Sequence, residues 1–225
     1  MNVLITGANR GIGLGFVRHY LAQGCHVWAC HRRDRGGLAK INNPKLHLVQ
    51  WDVSEEKPVS THVELPEKID VLINNAGIYS NSKDSDQSLK GITSDAMLKV
   101  FDIDCVGALR VVKLLWPHVA KAKGVIANIS SKMGSTADNT SRGYYAYRAA
   151  KAALVIVSKS MAVDLAPKGV RVITLHPGWV RTDMTDYEGL IDVDESVDGM
   201  ARVIEHIDKY EPGAFVAYDG EILPY

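Results

Sequence analysis

Short apolar runs alternate with longer amphipathic stretches along this 225-residue chain. The short runs read as strands: Val3-Leu4-Ile5, His26 to Cys30, Leu46 to Trp51, Val71-Leu72-Ile73, Val125 to Ile129, Val170 to Leu175 and Ala214 to Ala217. The longer stretches read as helices near 12–23, 94–121, 144–166 and 195–208. Strand, helix, strand in repetition predicts a parallel sheet covered on both faces, with right-handed crossovers. The fold class expected is α/β: a single-domain, Rossmann-like, doubly wound sheet of about seven strands with helices on both faces. Residues 32–45 and 53–69 have poor helical periodicity, so any helices there are short, and residues 79–93 are polar and turn-prone. No internal repeat, linker or second domain stands out, so residues 1–225 are taken as one nucleotide-binding domain.

Composition narrows the function classes. Hydrophobic content is 46% and charged content 23%, ordinary for a soluble globular protein. The formal net charge is +0, which argues against a nucleic-acid partner, since such binding leans on phosphate contacts. No apolar run approaches the ~20 residues needed to cross a bilayer. MNVLIT has neither a basic start nor a long apolar stretch, so no signal peptide is read there. Cys25, Cys30 and Cys105 show no metal-ligand spacing and read as reduced, buried thiols of a cytoplasmic protein.

TGANRGIG, Thr6 to Gly13, follows the first strand and opens the first helix. Glycine permits tight turns and close backbone approach, and a helix N-terminus offers free N–H groups to a pyrophosphate. Gly7, Gly11 and Gly13 supply the turns, with Asn9, Arg10 and Ile12 completing the cradle. At the end of the second strand, His31 and Arg32 stand where an acidic residue would take the ribose hydroxyls of NAD. Arg10 and Arg32 suit a 2′-phosphate, so NADP is expected over NAD, although Asp34 in the same turn keeps NAD open.

GYYAYRAAK, residues 143 to 151, crowds tyrosines before a cation. Residues four apart on a helix share a face. That spacing pairs Tyr147 with Lys151 and Tyr144 with Arg148, and it recurs at Tyr79 and Lys83. A tyrosine beside an ammonium is easier to ionise. By spacing alone, all three pairs stay open.

With the glycine loop, INNAGI at 73–78, ISS at 129–131, Tyr147/Lys151 and HPGWVRTDM at 176–184, the whole chain resembles the short-chain dehydrogenase/reductase family. SSKMGS, the YAYR run and the ending YDGEILPY resemble its subgroup of sniffer-type carbonyl reductases and C-factor-like proteins. The resemblance implies that Asp52 and Val53 contact the adenine, that Asn75, Ala76 and Gly77 line the adenosine side, and that Pro177, Gly178, Val180 and Thr182 bracket the nicotinamide. It implies Ser131, Tyr147 and Lys151 as the catalytic set, with Lys151 also on the nicotinamide ribose. Tyr79 lies in a polar loop, where four-residue spacing forces no contact, and Tyr144 faces the less adaptable guanidinium of Arg148.

In that chemistry, NADPH supplies hydride to a carbonyl and Tyr147 donates the proton, while Ser131 holds the oxygen. Bringing a phenol from about 10 toward 7 requires about 4 kcal/mol, and a cation about 4 Å away contributes about that at an effective dielectric near 20. Lys151 is therefore expected to acidify Tyr147. One position departs from the family: DIDCVGAL puts Asp104 where Asn is usual, three residues before Gly107. Asp104 would hold Lys151 more firmly charged.

Two functions remain in view: an NADP-dependent oxidoreductase of a small carbonyl or alcohol, and a C-factor-like signalling protein that binds the nucleotide but turns over little. A short, acidic substrate loop is expected around 183–195, with Trp179, Met184 and Tyr187 as wall residues. The family suggests a homodimer or homotetramer through the helices at 94–121 and 144–166, whose apolar stripes could equally be core. No metal and no membrane partner is expected.

Overall fold

The computed structural model describes residues 1–59, 64–80 and 86–225. Seven strands form one parallel sheet in the order β3-β2-β1-β4-β5-β6-β7. They are β1 (Asn2–Ile5), β2 (His26–His31), β3 (Leu46–Gln50), β4 (Val71–Asn74), β5 (Val125–Ile129), β6 (Arg171–His176) and β7 (Phe215–Ala217). Among the described residues, five α-helices accompany them: α1 (Gly11–Ala22), α2 (Ser94–Phe101), α3 (Gly107–Ala122), α4 (Tyr145–Leu165) and α5 (Val193–Glu205). β1 lies between β2 and β4, so the chain order reverses there and opens a crevice at the carboxyl ends of the strands.

The strands are nearly continuous apolar runs because both faces are covered. On one face Val3, Ile5, Val27, Ile73, Ala127 and Ile173 pack with Phe16 and Val17 of α1 and Val197, Met200 and Ile204 of α5. On the other, Leu4, Leu72, Ile126 and Val172 pack with Val111, Leu115 and Val119 of α3 and Met161 and Leu165 of α4. The free thiols Cys25, Cys30 and Cys105 are all buried. Among the described residues, no helix is long and apolar enough to cross a membrane.

The helix read at 94–121 is interrupted. A π-helical turn, Asp102–Val106, joins α2 to α3. Residues 32–45 hold only a short 3-10 helix, Gly36–Lys40, and the described part of 53–69 holds no helix. Instead, residues near 64–69 strap the sheet: the Trp28 indole N–H donates to the Glu64 carbonyl at 3.0 Å, and Ile69 is fully buried. Lys83, the partner proposed by spacing for Tyr79, lies outside the described residues.

One polar chain crosses the interior. Asn74 of β4 donates its amide to Asn128 Oδ1 on β5 at 2.8 Å, and Asn128 donates to Ser158 Oγ on α4 at 2.8 Å. Ser158 in turn donates to the Leu154 carbonyl at 2.6 Å. Asn128 and Ser158 have no solvent exposure, so each relies on this chain for its hydrogen bonds. Asn128→Ala strands donors and acceptors on both sides. It is expected to lower the unfolding free energy by about 1–3 kcal/mol, read from urea denaturation midpoints.

Candidate active site

The glycine loop is laced to the end of β4. The Thr6 hydroxyl accepts from the backbone N–H of Asn75 at 3.0 Å and of Ala76 at 3.1 Å. The Asn75 amide donates to the carbonyls of Thr6 and Gly7, each at 3.0 Å. This contact requires glycine: a Cβ on Gly7 would lie 2.8 Å from Ala76 Cα, and one on Gly13 would lie 2.3 Å from the Gly7 oxygen. The first turn of α1 has no side-chain cap and no acidic residue, so its N–H groups remain available to an anion.

A cavity of about 430 Å³ opens over this turn. The predicted residues Gly7, Asn9, Arg10, Gly11, Ile12, Arg32, Asp52, Val53, Asn75, Ala76, Gly77 and Thr182 line it. Asp52 and Val53 lie beyond β3, which ends at Gln50 rather than at Trp51. Gly13 serves the packing of the loop and does not line the cavity, and neither do Pro177, Gly178 or Val180. Gly178 is left-handed at φ +84, where a Cβ would lie 2.6 Å from Ile191 Cδ1.

The basic corner of the cavity holds Arg10, Arg32 and Arg33. Asp34 also reaches it, with one carboxylate oxygen accepting the Gly36 N–H at 2.9 Å. Three guanidiniums and an uncapped helix start fit a dinucleotide carrying an additional phosphate.

Ser131, Tyr147 and Lys151 are all buried and do not line this cavity; Lys151 connects to it through Asp104, which holds the N–H of the lining residue Ile78. α4 begins at Tyr145, with Tyr144 left-handed at φ +58 as its N-cap. Tyr144 therefore lies outside the helix, and Arg148 donates elsewhere, to the Met133 carbonyl and Ser141 Oγ. Tyr147 and Lys151 share a helix face, with the ammonium 5.5 Å from the phenol ring centre. Ser131 reaches the Tyr147 hydroxyl from the end of β5. Residues 135–144 form the loop that leads from the Ser131 turn into α4.

Asp104 lies in the π turn, 1% exposed. One of its oxygens accepts the Ile78 N–H at 2.8 Å, and the other sits 3.1 Å from the Lys151 ammonium. Lys151 also donates to the Ile129 carbonyl at 3.1 Å. Burial alone would favour neutral Lys151, but Asp104 and then Tyr147 outweigh it and raise its pKa.

Lys151 pulls the Tyr147 pKa down as expected, but it does not set the net direction. Burial pushes the phenol above its ordinary range, and the Asp104 charge adds to this against the opposing pull of Lys151 and Ser131. Asp104 itself is raised by burial, against Lys151 and the Ile78 N–H.

Three participants were not picked out by sequence reasoning. Tyr79 leans on Tyr147 with ring centres 4.9 Å apart and on Tyr144 at 5.4 Å. Asp183 accepts from the Tyr187 hydroxyl and pairs with Arg10 at 3.5 Å, joining substrate loop to glycine loop. His176 Nδ1 accepts the Lys132 N–H at 3.3 Å, bracing the turn that carries Ser131. The histidine was visible in the HPGWV motif, but nothing in its spacing revealed that contact. Of the proposed wall residues, Met184 lines the main cavity, Tyr187 borders a smaller hollow, and Trp179 is half exposed. The substrate loop is shorter than 183–195, because α5 starts at Val193.

Comparison with known proteins agrees with this geometry. The profile of the short chain dehydrogenase family matches residues 1–190. The C-signal protein of Myxococcus xanthus is 39% identical over 158 residues, 70% of this chain and 93% of that protein. The NADPH-bound carbonyl reductase from chicken fatty liver superposes with a TM-score of 0.87 at 30% identity, covering 100% of this chain and 98% of the other. Carbonyl reductase Sniffer of D. melanogaster gives 0.85 at 29% identity, covering 100% and 99%.

His176 gives the site an acid limit. Burial, then Lys132, lowers its pKa to about 4, against Asp219 and Asp138. Unfolded histidine titrates near 6.5, so the unfolded chain binds the extra proton between those values. The stability associated with neutral His176 is present above about 6.5 and is lost as pH falls toward 4. Urea midpoints measured across that range should fall with acid, and His176→Asn should flatten the slope.

Proposed function

Because the chain belongs to the short chain dehydrogenase family, an oxidoreductase family, we propose that it is an NADP-dependent reductase of small carbonyl compounds, with Tyr147 as general acid. The observation that carries this reading is the buried grouping of Ser131, Tyr147 and Lys151, linked through Asp104 and Ile78 to a cavity with a basic corner. Bound NADPH would supply hydride from its nicotinamide ring. The Tyr147 phenol gives its proton to the carbonyl oxygen as charge develops there. Ser131 donates a hydrogen bond to the same oxygen, and Lys151 orients the nicotinamide ribose.

NADP over NAD is supported by Arg10, Arg32 and Arg33 and by the NADPH in the chicken enzyme. Asp52 and Val53 would contact the adenine, and Asn75, Ala76 and Gly77 would line the adenosine side; Pro177, Gly178, Val180 and Thr182 would bracket the nicotinamide. One domain spanning 1–225 carries the entire site, and the compartment consistent with three free thiols is the cytoplasm.

A second reading, a nucleotide-binding signalling protein, is favoured by the likeness to C-signal. An intact Ser131, Tyr147 and Lys151 favours the enzyme. NADPH oxidation against aldehydes, ketones and quinones separates the two. Turnover is expected, and Tyr147→Phe should lower it by about 10²–10⁴-fold while leaving NADPH binding by fluorescence unchanged. Retained activity in that variant would refute the role of Tyr147, and tighter binding of NADH than of NADPH would refute the cofactor preference.

Assembly as a homodimer or homotetramer fits the outward apolar residues Leu98 of α2, Leu109 of α3, and Ile156 and Val163 of α4. Light scattering should give two or four times the 24.6 kDa chain mass; a monomer would exclude it.

A further inference from the structure

Asp104 is the buried charge that the proton donation described above does not use. Its carboxylate stands 3.1 Å from the Lys151 ammonium, with 0% and 6% of the two side chains exposed. Its other oxygen holds the Ile78 N–H, next to the cavity-lining Gly77. A Cβ on Gly77 would lie 3.1 Å from the carboxylate, so this turn closes directly over it.

We propose that Asp104 is a positioning residue that neutralises Lys151 and thereby keeps the Tyr147 phenol protonated through neutral pH, so that the site is loaded for carbonyl reduction. The inference rests on the oxidoreductase reading. A carboxylate paired with the ammonium at this distance offsets part of its pull on the neighbouring phenol, because its charge acts in the opposite sense; Lys151 still lowers and Asp104 raises the Tyr147 pKa, with burial the largest influence. In reduction, hydride adds to the carbonyl carbon and the Tyr147 O–H bond breaks. Its proton goes to the carbonyl oxygen, giving an alcohol, oxidised NADP and a tyrosinate that regains a proton from solvent. In the reverse sense tyrosinate must be present first, so alcohol oxidation rises only at alkaline pH.

The other groups facing this pair do not replace Asp104. From the π turn, Cys105 is held neutral, its pKa pushed up to about 11 by burial. From the end of β4, Tyr79 is raised above the ordinary phenol range, first by burial and then by Tyr144. From β5 come the Ile129 carbonyl and the neutral Ser131 hydroxyl. On α4, Arg148 is turned to Met133 and Ser141.

The test is an ultraviolet tyrosinate titration of cofactor-free protein, with Tyr147 isolated by subtracting Tyr147→Phe. In the wild type its midpoint is expected above the ordinary phenol value of about 10. In Asp104→Asn it should fall by about one to three pH units, and the alkaline onset of alcohol oxidation should fall with it. Fluorescence titration with NADPH and the thermal midpoint check that the variant is folded. Equal midpoints in the two folded proteins would reduce Asp104 to a scaffold. Should Asp104→Asn not fold, the wild type alone decides, since a midpoint at or below the ordinary value overturns the proposal. A shifted midpoint with no turnover on any carbonyl would sink the oxidoreductase reading and leave the electrostatic role of Asp104 supported.

Discussion

The candidate site is built around one buried ammonium. Removing a lysine charge from water is costly unless the charge is paired and hydrogen-bonded. Lys151 has both a carboxylate, Asp104, and a carbonyl, Ile129, each at 3.1 Å. Bringing these partners together demands that β5, α4 and the turn between α2 and α3 meet at one point. The π turn answers that demand. Its wider winding frees backbone oxygen, and Arg110 donates to the Asp102 and Val53 carbonyls at 3.3 Å each while pairing with the Asp102 carboxylate. Such single wide turns commonly occur at functional positions within helices.

A second constraint sets the cofactor side. The glycine loop is tied to the end of β4 through the Thr6 hydroxyl and the Asn75 side-chain amide, each bonded to the other segment's backbone. The glycines at 7 and 13 are therefore explained by this contact as fully as by phosphate binding. Because residues 75 to 78 carry both the lacing and the Ile78 N–H bound by Asp104, the cofactor cradle and the proton-handling groups share a single stretch of backbone.

Much of this was legible in the sequence. The strands lie within about a residue of where the apolar runs put them, because buried parallel strands must be apolar throughout. The glycine loop, the basic turn and Tyr147 with Lys151 all occupy the positions their spacing implied. The π turn was not legible, since an apolar period continues across one wide turn almost undisturbed; the buried Asp within DIDCV was the only sign of it. Tyr79 was read as part of a polar loop, and only the fold brings it against Tyr147. The acidifying effect of Lys151 was inferred from one charge at one distance. That pull is present, but burial of the phenol outweighs it and the carboxylate across the ammonium offsets part of it, so the net shift is upward.

That balance identifies what the Asp at 104 trades. A neutral amide has nearly the same shape and could still accept the Ile78 N–H, so the turn over the cavity does not demand a carboxylate. The full negative charge adds something else: it lets Lys151 remain an ammonium in a site with 6% side-chain exposure, at the expense of the pull that ammonium would exert on Tyr147. Shape and charge are thus separable at this position. Geometry can hold Lys151 in place for ribose binding while electrostatics leaves the phenol a proton donor, and a site serving mainly the reverse reaction would gain from the opposite balance.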